Sequence, residues 1–164
     1  MPEAREKDIE LTDADRRILA ELQRDGRLTN AELADRVGLS TSPCWRRARR
    51  LERSGVITGY AAQIDRRRIG LGVLVFVSVQ IDTHSDEDAC AFEDAIGRLP
   101  EVISCHSVGG AADFILQVAC TDLDAYAEFS MTVLRRLPGI KAMSSAFALK
   151  EIKPYEGLPV SGSG

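Results

Sequence analysis

Four arginines stand within five positions, Arg46, Arg47, Arg49 and Arg50, shortly after Ser40, Thr41, Ser42 and Pro43. Guanidinium forks and hydroxyls in that density suit phosphate oxygens and base edges. A second group is Gly109-Gly110-Ala111-Ala112-Asp113-Phe114. A glycine turn bares backbone N–H groups to a carboxylate, and an acid beside it can meet an ammonium. The same residues also suit a tight hairpin in which Asp113 only orders the turn. The four cysteines (Cys44, Cys90, Cys105, Cys120) contain no CxxC pair, and His84 and His106 make no ligand cluster with them. They read as buried or half-buried free thiols of a reducing compartment, and His106 reads as mid-strand structure. No nucleophile–base pair, metal set or phosphate loop is visible. No catalytic residue, metal or cofactor is assigned, and the chain is not read as an enzyme.

The arginines need a helix to aim them. Leu33, Ala34 and Val37 have helical spacing, and Gly38 stands where a helix end wants positive φ. Leu39 can plug the corner that follows. Ser40, Thr41 and Ser42 are N-cap residues and Pro43 fits a first turn, so the spacing predicts a second helix from about Ser42 to Arg53, ending near Gly55. On it Cys44, Ala48 and Leu51 share one side, while Ser42, Arg46, Arg49 and Arg53 share another with Arg50 beside them. Two helices, a short glycine turn and a basic second helix make a helix-turn-helix, whose second helix enters the DNA major groove. Thr12 or Asp13 opens a supporting helix through Ile18, Leu19 and Leu22 to Gly26, with Asp15 at capping-box spacing from Thr12. Thr29 or Asn30 caps the next helix.

The net charge of −4 argues against a nucleic-acid partner only until it is divided. Residues 1–72 hold 15 basic against 12 acidic side chains, and residues 73–164 hold 6 against 13. From Ser40 to Gly72 the count is 8 against 2, a local footprint for phosphate on an acidic protein. The longest apolar run, Val73 to Val77, is too short to span a bilayer. The first ten residues lack the apolar core of a signal peptide. The expectation is a cytoplasmic protein with no membrane partner.

Beyond Gly55, residues 56–64 read as a short strand, with Gly59 at a bend. Asp65 to Gly72 breaks the pattern, and Arg66 to Arg68 suit either phosphate or solvent. Six elements follow. Leu74 to Ile81 is a strand; a helix capped by Ser85 or Asp86 runs to Pro100; Val102 to Val108 and Phe114 to Ala119 are strands. A second helix, capped by Thr121 or Asp122, runs to Leu137, and Ile140 to Ile152 contains the last strand. The order βαββαβ is ferredoxin-like, with both helices on one face of an antiparallel sheet. The fold class is therefore α+β, an N-terminal helix-turn-helix domain (winged-helix-like) joined to a C-terminal ferredoxin-like domain. The expected divisions are 1–61, a linker strand and loop at 62–72, 73–159, and a flexible tail from 160 to 164. The sheet face without helices reads as mostly apolar and needs a cover, which a second copy of the chain can supply.

Three phrases resemble the Lrp/AsnC family of transcription regulators: LTDADRRILAELQRDGRLTNAELADRVGLS, SPCWRRARRLERSGVITGYAAQID, and SSAFALKEIK with Leu158-Pro159. The resemblance spans about Leu11 to Pro159. It implies a winged-helix-like DNA-binding domain, an effector and assembly domain, dimers that often join as tetramers of dimers, and amino-acid ligands. By that similarity Ser40, Ser42, Pro43, Cys44, Arg46, Arg47 and Arg50 fall in the helix-turn-helix signature. Ser40, Thr41 and Ser42 are then assigned to phosphate or base, and Arg46 and Arg47 to groove or backbone. Asn30, Pro43, Trp45, Arg49 and Arg50 complete the candidate DNA surface, with Trp45 leaning to packing and Cys44 and Ala48 kept as packing. The family's Gly-x-x-Asp-Tyr/Phe turn matches Gly110 to Phe114. Candidate effector residues are accordingly Gly109, Gly110, Ala111, Ala112, Asp113 and Phe114, with Ser144 and Ser145 as polar lining. Gly109, Ala111 and Ala112 are smaller than the residues of many relatives, leaving more room and fewer donors. The function implied is a sequence-specific regulator whose assembly or DNA affinity shifts with a small effector, an amino acid by family habit. The alternatives are a DNA-organising protein of the same fold without an effector, or a ferredoxin-like enzyme.

Overall fold

Thr12 and Asp15 close the first element on themselves. In the computed structural model, which describes residues 9–82 and 86–160 (backbone alone for 86–89), helix α1 spans Asp13–Arg24. The Asp15 amide donates to the Thr12 hydroxyl at 3.3 Å and the Thr12 amide donates to the Asp15 carboxylate at 3.0 Å, so both halves of a capping box are made. Helix α2 (Asn30–Val37) repeats the device with Thr29 and Glu32, and Thr29 rather than Asn30 is its cap. Gly38 ends α2 at φ +67°, the left-handed geometry glycine tolerates. Helix α3 (Thr41–Arg53) begins one residue before the expected start, with Ser40 as N-cap. Ile18, Leu33, Val37, Cys44 and Leu51 meet at the centre of this three-helix core, and Leu39 packs against it from the turn.

The strand expected at 56–64 does not form. A strand needs a ladder partner, and among the described residues none pairs with it; residues 58–64 are exposed. The segment is anchored locally instead. Its Ile57 amide donates to the Leu51 carbonyl at 3.0 Å, and the Tyr60 hydroxyl donates to Glu52 at 3.2 Å. The Tyr60 ring lies where a Cβ on Gly26 would approach it to 3.0 Å, so a side chain there would displace it.

The chain forms two compact units, Met1–Gln63 with Lys153–Gly164, and Ile64–Ile152. The expected division kept residues 153–159 with the second domain; in the structure they pack with the first unit. The cause is local bonding. The Gln23 side chain donates to the Leu158 carbonyl at 3.1 Å and accepts from the Leu158 amide at 2.6 Å, and Val160 packs against the helical core. The rest of the expected tail, residues 161–164, lies outside the described residues.

The second unit is a four-stranded sheet in the order β2-β3-β1-β4 with antiparallel pairs. Its strands are β1 (Val73–Ile81), β2 (Val102–Ser107), β3 (Phe114–Cys120) and β4 (Ile140–Phe147). Helix α4 (Asp86–Ile96) follows β1; helix α5 (Leu123–Thr132) and a short 3-10 turn at Leu134–Arg136 follow β3. This is the expected βαββαβ order. The expected cap at Ser85 or Asp86, like His84, lies outside the described side chains, whereas Asp122 caps α5 by accepting from the Ala125 amide at 2.8 Å. Val75, Val77 and Val79 alternate inward from β1 and meet Phe92 of α4 and Phe129 of α5, so both helices share one face. The Phe92 and Phe114 rings stand 4.7 Å apart within that layer.

The opposite sheet face is less apolar than expected. Register places Ser78 beside Ser144 and Gln117 beside Phe76, with Ile115 next to His106. Phe76 and Ile115 are thus interleaved with serine and glutamine, a mixed surface rather than a continuous greasy one.

Candidate nucleic-acid interface and effector turn

Helix α3 presents its side chains in three groups. Cys44, Ala48 and Leu51 are buried in the helical core. Ser42, Arg46, Arg49 and Arg53, spaced four, three and four residues, lie exposed on the opposite side. The Arg46 guanidinium donates to the Ser42 hydroxyl at 3.1 Å, Arg49 pairs with Glu52 at 2.9 Å and lies 6.0 Å from the Trp45 ring centre. Among the described residues Arg46 and Arg53 have no carboxylate within ion-pair distance. Ser40, Thr41 and Asn30 are exposed at the starts of α3 and α2, and Pro43 is half-buried. This is an exposed cationic stripe with hydroxyls at its N-terminal end, as phosphate and base-edge contacts require.

Arg47 and Arg50 form the third group, and they turn away from that stripe. Arg47 donates to one Asp15 carboxylate oxygen at 3.1 Å and to the Thr12 hydroxyl at 3.1 Å; Arg50 donates to the other carboxylate oxygen at 2.7 Å. Asp15 has no exposed surface. Burial alone would raise its pKa, but the Thr12 hydroxyl and amide, the Arg47 guanidinium and the Arg50 charge outweigh it and hold the carboxyl below its ordinary value. Spacing along the chain did not reveal Asp15 as a partner of the arginines. The available signal was its place on the apolar stripe Leu11, Asp15, Ile18, Leu19 and Leu22, where an acid must find a buried partner.

Trp45 is 43% exposed and lines a cleft with Gly26, Leu28 and Tyr60, so it both packs and reaches solvent. In the loop after the first unit, Arg66 is committed to structure, donating to the Leu71 and Gly72 carbonyls at 2.8 Å each, while Arg67 and Arg68 are exposed.

The turn between β2 and β3 is closed by its own backbone. The Val108 amide donates to the Asp113 carbonyl at 2.9 Å, and the Asp113 amide donates to the Val79 carbonyl at 2.9 Å. The Asp113 carboxylate accepts from the Ile81 amide at 2.9 Å, beside the irregularity where β1 shifts register against β4. The Gln80 side-chain amide donates to the Ala111 carbonyl. Gly110 sits at φ +136°, which explains a glycine there. Gly109, Gly110, Ala111 and Asp113 are exposed and Ala112 is half-buried, but Phe114 is buried in the core against Phe92. Ser144 and Ser145 lie on opposite faces of β4. Ser144 faces the helix-free side beside Ser78, and Ser145 shares a hydrogen bond with the Tyr126 hydroxyl. Ser145 lines an open apolar groove of about 730 Å³ between α5 and β4, whose walls include Leu123, Met143 and Phe147 but no residue of the 109–114 turn. Ser145 thus lines a groove that the 109–114 turn does not reach, and Ser144 lies on the other face of β4.

The thiols are free. Cys44 and Cys120 are buried and Cys105 is half-buried, and burial raises all three pKa values; Cys90 is exposed, against the expectation of cover. No helix among the described residues is long and apolar enough to cross a membrane.

With this geometry in place, comparison with known proteins gives a consistent answer. Residues 74–158 match the sequence profile described as the Lrp/AsnC ligand binding domain, and residues 11–58 match that of a winged helix-turn-helix DNA-binding domain. The chain is 37% identical to the DNA-binding transcriptional activator DecR of Escherichia coli K12 over 146 residues, 89% of this chain and 96% of that protein. It is 39% identical to the leucine-responsive regulatory protein of the same organism over 146 residues, 89% of each chain. A Neisseria meningitidis transcriptional regulator solved in complex with L-Met superposes with a TM-score of 0.88 at 38% identity, covering 92% of this chain and 97% of that one. An AsnC family regulator of Agrobacterium tumefaciens gives 0.86 at 38% identity, with 92% and 97% covered. The exposed stripe of α3, the βαββαβ sheet and these matches over nearly the whole chain agree: the chain belongs to the Lrp/AsnC family of transcription regulators.

Proposed function

We propose that the protein is a sequence-specific, DNA-binding transcription regulator of the cytoplasm, and that an amino-acid effector modulates its assembly or its DNA affinity. The observation that carries the reading is the outward stripe of α3, where Ser42, Arg46, Arg49 and Arg53 stand exposed over a well-packed helical core. In this reading Ser40, Thr41 and Ser42 meet phosphates or base edges, Arg46 enters the major groove, and Asn30 approaches the backbone from the start of α2. Two copies pair through the helix-free sheet face and bind a pseudo-palindromic site, and dimers join further into tetramers of dimers. The effector site is the Gly109–Phe114 turn, completed where dimers meet. The L-Met bound by the Neisseria relative supports the ligand class. A ligand that binds the two assembly states unequally shifts both assembly and DNA affinity. The regulators among its relatives argue against the enzyme reading.

The DNA-organising reading without an effector keeps one observation in its favour. The Asp113 carboxylate already serves the Ile81 amide, and Ala111 and Ala112 offer no side-chain donors. The test has two arms. Purified protein is titrated against duplex DNA from upstream of its own gene at several salt concentrations; salt-dependent binding is expected, and its absence rejects the regulator. The twenty amino acids are then screened by thermal shift with size analysis of any hit. A ligand at 100 times its Kd stabilises by about 2.7 kcal/mol. Silence across the set favours the organising protein.

A further inference from the structure

Asp15 is the described polar residue with the most complete burial, and all its partners point one way. Its carboxylate is inaccessible to water, sits on the apolar stripe of α1, and takes four donors: the Thr12 hydroxyl at 2.6 Å, the Thr12 amide at 3.0 Å, Arg47 at 3.1 Å and Arg50 at 2.7 Å. The two guanidinium groups come from positions i and i+3 of α3, which share one flank of a helix. That flank is distinct from the exposed stripe of Ser42, Arg46, Arg49 and Arg53. Their side chains remain 37% and 47% exposed, so water and phosphate can reach them, yet their forks are directed inward.

Two consequences follow from general electrostatics. A buried carboxylate joined to two points on α3 opposes rotation and sliding of that helix against α1, because any such motion strands a buried charge. The same carboxylate also withdraws two cations from phosphate. Non-specific DNA affinity counts the cations that replace counterions, so withdrawing two of them lowers background binding everywhere and leaves base readout to the outward stripe.

We propose that Asp15 is a specificity-determining positioning residue: it fixes the register of the recognition helix and holds Arg47 and Arg50 out of the phosphate-binding set. This rests on the DNA-binding reading above and adds a claim that reading does not need.

The test is the slope of log affinity against log salt for full-length variants on an upstream duplex and on a scrambled one. For Arg47→Gln and Arg50→Gln, each losing a cation, the slope is expected to match wild type, while the preference for the upstream duplex falls by about tenfold, the scale of one side chain moved off its base edge. For Asp15→Asn, which frees both arginines, the slope is expected to steepen by about 1–2, at roughly 0.9 for each phosphate newly neutralised. Binding to the scrambled duplex should strengthen while discrimination falls. A slope flattened by about 0.9 in either glutamine variant would place that arginine on a phosphate in the wild type and overturn the proposal. So would parallel loss of affinity for both duplexes at unchanged slope in Asp15→Asn, which marks a purely structural residue. If Asp15→Asn shows no helical circular dichroism, the two glutamine variants decide alone. A wild type that binds neither duplex rejects the DNA-binding reading itself, and the two failures are thus distinct.

Discussion

Replacing Arg46 by alanine separates recognition from stability more cleanly than any other change on α3. Arg46 is exposed, its one side-chain hydrogen bond among the described residues runs to the Ser42 hydroxyl at 3.1 Å, and its helix position faces away from the core. Removing it leaves no buried group without a partner, so folding stability should move by no more than about 0.5 kcal/mol. If Arg46 meets a base edge, binding to the cognate duplex should weaken by about 1–3 kcal/mol, roughly 5- to 160-fold, with relaxed sequence preference. Arg47→Ala should differ by adding a stability cost that Arg46→Ala does not have. It strips one of two cations from a buried carboxylate, which costs about 1–2 kcal/mol of folding stability; Arg50 still pairs, and Arg47 is already partly in water. Fluorescence anisotropy with an upstream and a scrambled duplex, alongside thermal unfolding of each variant, reads both quantities. Wild-type affinity for both duplexes in Arg46→Ala, or equal destabilisation by the two variants, would refute the division of the arginines into an outward and an inward set.

Other changes test the scaffold. Leu51→Ala, at a fully buried position of α3, should cost about 2–5 kcal/mol in denaturant unfolding, and a cost under about 1 kcal/mol would mean the helical core is not closed there. Gly38→Ala forces a side chain into φ +67° at the turn and should cost roughly 1–2 kcal/mol; an unchanged midpoint would contradict the left-handed cap. The depressed pKa of Asp15 gives a pH signature with a definite sign. Its stabilisation is fully present above the ordinary unfolded value of 3.8 and is lost as pH falls below that value through the folded one. Stability against pH should therefore show an acid limb that Asp15→Asn flattens, and an identical limb in the variant would remove Asp15 from the acid response.

What the sequence made legible was local. Thr12 with Asp15, Thr29, Gly38 and Asp122 each act within a few residues of themselves, and capping rules place them without tertiary knowledge. The alternation of Val75, Val77 and Val79 likewise reveals which face of β1 is covered. What escaped was what depends on distant partners. Arg47 and Arg50 lie 32 and 35 residues from Asp15, and helical spacing alone put Arg50 beside the outward stripe. The return of Lys153 onward to the first unit rests on Gln23, 135 residues from Leu158. Residues 56–64 have strand composition and, among the described residues, no strand partner, and propensity cannot create a ladder. Ser144 and Ser145 cannot both line one site within a chain, because successive strand residues face opposite sides.

The central claim is that α3 reads DNA sequence from its exposed stripe, and a salt titration of the unmodified protein on paired duplexes tests it most directly. Affinity for the upstream duplex should fall linearly with log salt and exceed that for the scrambled duplex by roughly a thousandfold or more. Affinity indifferent to salt, or equal for the two duplexes throughout the titration, would contradict it.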